Sequence, residues 1–104
     1  MEYSATLSLT NRTGVALELW VEPWGDFVEF PPDATIRVVG SATAPGEFEV
    51  AWDRDSVTVY AWPTSVVQLF SDAVELKPGS FALPFPAIPP GMTTPSFMKL
   101  VFGG

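Results

Sequence analysis

The sequence predicts an all-β chain, a small antiparallel β-sandwich of seven to eight short strands followed by a proline-rich C-terminal tail. Apolar and polar residues alternate with a period of two in segment after segment, the mark of half-buried strands. Turn residues interrupt that alternation roughly every eight to twelve positions. No window before Lys77 sustains a helical period. A small open barrel fits the same pattern, because strand order does not register in a periodicity.

The first strand is expected over 3–10, with Tyr3, Ala5, Leu7 and Leu9 on one face and Ser4, Thr6, Ser8 and Thr10 on the other. Asn11-Arg12-Thr13-Gly14 carries turn chemistry, with Gly14 free to adopt positive φ, and predicts a hairpin to a second strand over 15–22. There Leu17, Leu19 and Val21 oppose Glu18, Trp20 and Glu22. Pro23-Trp24-Gly25-Asp26 breaks the pattern before a short strand over 27–30, and Pro31-Pro32-Asp33 before another over 35–39. Phe48, Val50 and Trp52 then alternate up to the polar turn Asp53-Arg54-Asp55-Ser56, which leads into 57–62 as a further hairpin. Segments 66–70 and 74–76 complete the set.

Composition shifts at Lys77-Pro78-Gly79, which divides the chain into a β-domain over 1–76 and a tail over 77–104. Six of the eleven prolines fall in the tail and favour extended backbone. Phe81, Leu83, Phe85 and Ile88 interleave with them, more apolar surface than a solvated linker carries. The end of the tail reads equally as a short helix, with Thr94 as cap and Pro95 at the first position, or as a strand with Met98, Leu100 and Phe102 on one face.

Charge and residue usage narrow the function. Twelve acidic and five basic residues give a net charge of −7, with no basic cluster to neutralise phosphates, so neither nucleic acid nor an anionic membrane is expected as a partner. No apolar run approaches the roughly 20 residues of a membrane span. Met1-Glu2-Tyr3 passes into the first strand without the basic and apolar regions of a secretory signal, and a cytoplasmic location is expected. The 47% hydrophobic content suffices for a core without disulfides.

The chain has no histidine and no cysteine, which removes Ser-His and Cys-His nucleophile pairs and the usual transition-metal ligands. No cofactor, metal or catalytic residue is therefore expected. Carboxylates such as Glu18, Glu22, Glu47 and Glu49 sit at same-face spacing on polar strand faces, as solvated residues do. Asp53 and Asp55 read as turn residues rather than calcium ligands.

Two sets of residues invite binding. Trp20, Trp24, Tyr60 and Trp62 offer flat rings for a carbohydrate if their faces meet water, although burial is the ordinary fate of such rings. The tail offers Phe81, Leu83, Phe85, Ile88, Phe97, Met98, Leu100 and Phe102 as anchors for a protein partner, a second copy or the chain's own domain. The leading expectation is a non-enzymatic interaction module acting through this tail; the alternative is a carbohydrate-binding module using the four aromatics.

The stretch 11–76, above all Leu17-Glu18-Leu19-Trp20-Val21-Glu22-Pro23-Trp24-Gly25 and Tyr60-Ala61-Trp62-Pro63, resembles small uncharacterised bacterial proteins of β-sandwich type. The resemblance implies a fold and transfers no functional residue.

Overall fold

A computed structural model of the chain describes residues 2–82. These form eight strands: β1 (Tyr3–Thr10), β2 (Leu17–Glu22), β3 (Asp26–Phe30), β4 (Thr35–Ala42), β5 (Glu49–Trp52), β6 (Ser56–Tyr60), β7 (Val66–Ser71) and β8 (Val74–Leu76). Among the described residues there is no helix. Every strand lies where the period-two pattern placed one, with ends moved by at most a few residues.

The strands form two four-stranded sheets, in the orders β1-β4-β7-β8 and β3-β2-β6-β5. The β2–β3, β5–β6 and β7–β8 pairs are hairpin neighbours. The expected hairpin between the first two strands does not form: β1 pairs with β4, and β2 lies in the other sheet. Nor are the sheets purely antiparallel, because β2 and β6 pair in parallel, Leu19 opposite Val57 and Val21 opposite Val59.

Asn11 explains the first departure. Its side chain is fully buried, and Nδ2 donates to the carbonyls of Val15 at 2.7 Å and Phe30 at 2.9 Å. Its Oδ1 accepts from the Thr13 amide and hydroxyl at 3.0 and 2.7 Å. The main chain of Asn11 is held as well, by Ala34 and Asp33. With so many partners outside its own turn, Asn11 leads the chain across to the second sheet instead of back along β1. Gly14 does take the left-handed conformation, at φ 84°, but in a crossover.

Both sheets feed one hydrophobic cluster. Leu9, Ile36, Val38, Val67 and Leu69 come from the first sheet, and Leu17, Leu19, Val21, Phe30, Val57 and Val59 from the second. Each occupies the apolar phase of its strand, so the alternation that predicts the strands also builds the core. At roughly 1.5–3 kcal/mol for each such side chain removed from water, this cluster is the main favourable term in folding.

The cluster extends past the expected domain boundary at Leu76. Lys77-Pro78-Gly79-Ser80 forms a turn, closed by a bond from the Ser80 amide to the Lys77 carbonyl at 3.2 Å, with Lys77 and Gly79 both at positive φ. The chain thereby returns to β7, where the Phe81 carbonyl accepts from the Val67 amide at 2.9 Å. Phe81 is 1% exposed and belongs to the core.

Candidate functional site

The tail anchors divide at Ala82. Of the three occupants offered for Phe81, the structure gives the chain's own domain: its ring meets Trp24 edge to face, centroids 5.9 Å apart, and no face of it is free for a partner. Leu83, Phe85, Ile88, Phe97, Met98, Leu100 and Phe102, and the terminal helix-or-strand segment, lie outside the described residues.

The structure does not bring the four candidate sugar-stacking aromatics together. Trp62 is 4% exposed, a correction to its reading as a sugar-stacking ring. Its indole donates to the Ala44 carbonyl at 2.9 Å and meets Phe48 edge to face at 5.1 Å. Gly40 makes room for the ring, since a Cβ there would stand 2.7 Å from it. Strand β6 ends at Tyr60, so the alternation that placed Trp62 beside Tyr60 no longer applies two residues later, and the ring turns inward. Trp24, in the β2–β3 turn, is half-buried against the core and Phe81.

Trp20 and Tyr60 do share the outer face of the second sheet. Trp20 lies opposite Phe27 on β3 and Thr58 on β6, and its ring stacks on Phe27 at 4.6 Å with a 34° tilt. Its indole donates to Glu18 Oε1 at 3.2 Å. Tyr60 lies between Glu22 on β2 and Glu49 on β5. Burial pushes the Glu22 carboxyl above its ordinary pKa. Oε2 of Glu49 is buried without a hydrogen-bond partner among the described residues. Three or more potential metal ligands do not gather anywhere among those residues. A shallow pocket of about 210 Å³ on the first sheet is lined by Ser8, Thr35, Arg37, Phe70 and Asp72, with Arg37 stacked over Phe70 at 4.9 Å. It holds a single carboxylate and no partner group for acid-base work.

The sheet edges form the most asymmetric feature. Three of the four edge strands are protected in the ways that prevent unwanted pairing. Strand β3 carries Asp26 and Glu29 between Pro23 and Pro31. Strand β5 has four residues, begins with Glu49 and is followed by Asp53. Strand β8 has three residues, and Phe81 covers β7 beyond it.

Strand β1 has none of these devices within its span, the nearest charges being Glu2 and Arg12 outside it. It runs for eight residues with no charge and no proline, and among the described residues it pairs on one side only, with β4. Its core-side residues stay incompletely covered: Leu9 is buried, Leu7 and Ala5 are half-buried, and Tyr3 is 42% exposed. On the short β5 a single core-side residue is also uncovered. Trp52 lies opposite the buried Val57, on the core side of its strand, yet is 50% exposed. Sequence reasoning missed this surface because the alternation of β1 predicts a strand without saying which side of it is paired. The absence of charge and proline over 3–10 was the available signal.

Comparison of the chain with protein-family models, with curated proteins and with solved structures finds no match.

Proposed function

We propose that this chain is a non-enzymatic protein-interaction module: a two-sheet β-sandwich, closed by Phe81, whose apolar proline-rich segment 83–104 docks on its own domain, a second copy or a partner protein. The observation that carries the reading is Phe81. The tail begins inside the core, hydrogen-bonded to Val67, so the segment of interleaved phenylalanines and prolines is tethered at a fixed point on the first sheet. The lack of histidine and cysteine, and carboxylates that sit on the outer faces of strands, support a role in binding rather than catalysis.

The test is truncation after Ala82, which keeps Phe81 in place. Removing 83–104 is expected to increase binding of an apolar dye and to change oligomeric state or lower the urea midpoint. A truncated chain with the same mass in solution, the same midpoint and no added dye binding overturns the proposal.

A further inference from the structure

We infer that the open edge of β1 is the docking site of the tail, and that its occupant is the segment Phe97-Met98-Lys99-Leu100-Val101-Phe102 of the same chain, added as an extended strand. The inference rests on the proposed tail-docking role and gives that role a place.

An edge strand presents a row of unpaired amides and carbonyls that another extended segment can complete. Strand β1 is long, uncharged and proline-free where the other three edges are short, charged or flanked by proline, so it is the edge left able to accept a strand. Its core-side row also lacks cover, with Tyr3 42% exposed and Ala5 and Leu7 half-buried. A strand laid beside it that turns alternate apolar residues to the same side would supply that cover. The segment 97–102 has this pattern, with Met98, Leu100 and Phe102 in one phase. It carries a single charge, at Lys99 in the opposite phase, where the neighbouring β1 residues are the hydroxyls of Ser4, Thr6 and Ser8.

The reach suffices. Phe81 is bonded to Val67, Val67 lies opposite Gly40, and Gly40 opposite Ala5, so the tail starts in the same row of the sheet as the middle of β1. Crossing to a position beyond β1 spans roughly 20 Å at about 4.8 Å per strand. Residues 83–96 separate Ala82 from Phe97, and extended they cover roughly 45 Å at about 3.3 Å per residue. A tether of that length gives an effective concentration in the millimolar range, which favours the chain's own edge over a second copy's in dilute solution.

Amide hydrogen exchange on the full chain tests this, comparing the native sequence with a Met98→Asp/Leu100→Asp variant. Alternate β1 amides point away from β4. In the native chain these are expected to exchange at least about tenfold more slowly than in the variant, with β4 and β6 amides changed less than about twofold. Equal rates for those amides in both chains overturn the inference. If truncation after Ala82 nevertheless changes dye binding or stability, the tail docks elsewhere and only the β1 site fails; if truncation also has no effect, the docking role itself falls. Protection of β1 in a dimer by light scattering, lost on dilution to monomer, overturns the assignment to the same chain and moves the occupant to a second copy.

Discussion

At the β7–β8 flank of the first sheet, Phe81 returns to bond with Val67, packs on Trp24, and Lys77 reaches Asp26 on β3 at 2.8 Å to join the two sheets. At the β1 flank, eight residues of uncharged strand end the sheet with nothing beside them among the described residues, and Tyr3 stands exposed on the core side. One flank is finished by a short piece of chain after the last strand; the other ends, among the described residues, in an uncovered strand. The contrast shows how a sheet edge becomes structure or interface according to whether an apolar segment can return to it.

The largest effect belongs to the finished flank. Phe81→Ala removes a fully buried ring and leaves a cavity beside Trp24, and should cost about 3–5 kcal/mol, read as a lower urea midpoint. A loss under about 1 kcal/mol would mean that this flank is not closed by Phe81, and the contrast would fail.

An intermediate effect is expected at Asn11, where the open strand is fastened. Alanine there leaves the Val15 and Phe30 carbonyls without their donor, which should cost about 2 kcal/mol or more. Faster amide exchange at the C-terminal end of β1, measured beside the unfolding midpoint, would show that Asn11 secures the strand the neighbouring edge leaves free.

The smallest effect comes from charge. The Asp26 carboxyl is held below its usual pKa chiefly by the hydrogen bond from Lys77, with a second bond from the Phe27 amide. A carboxyl lowered in the folded state stabilises above the ordinary aspartate range and loses that contribution as pH falls through its lowered value. Glu22 has the opposite sign: burial raises its pKa, so folding is favoured while it is protonated and that advantage declines as pH rises through the raised value. Asp26→Asn should flatten the acid limb of the stability profile, and Glu22→Gln should gain on the native chain toward neutral pH. Unfolding midpoints across the acid range read both.

Strand existence was legible in the sequence because the core imposes a period of two on most segments, as at Leu17–Glu22 and Thr35–Ala42. Pairing was not, because a period carries no information about neighbours. Turn residues at 11–14 predicted a hairpin, and only the burial of Asn11 redirects the chain. Composition placed the boundary at Lys77-Pro78-Gly79, where those residues make a turn rather than an exit. Of the aromatics, Trp20 lay on the face its phase gave it, while Trp62 followed the end of its strand and was free to turn in over Gly40.

The parallel union of β2 with β6 has a consequence for how the chain assembles. Leu19 meets Val57 only after the intervening residues have been laid down, with β4 in the other sheet and β5 on the far side of β6. β1 must likewise wait for β4. Local hairpins such as β2–β3 form without long loop closure, but these two unions join distant parts of the chain and carry its entropic cost. Non-local pairing of this kind is what slows the folding of all-β domains to the millisecond-to-second range, and here both β1 and β2 depend on partners far along the chain.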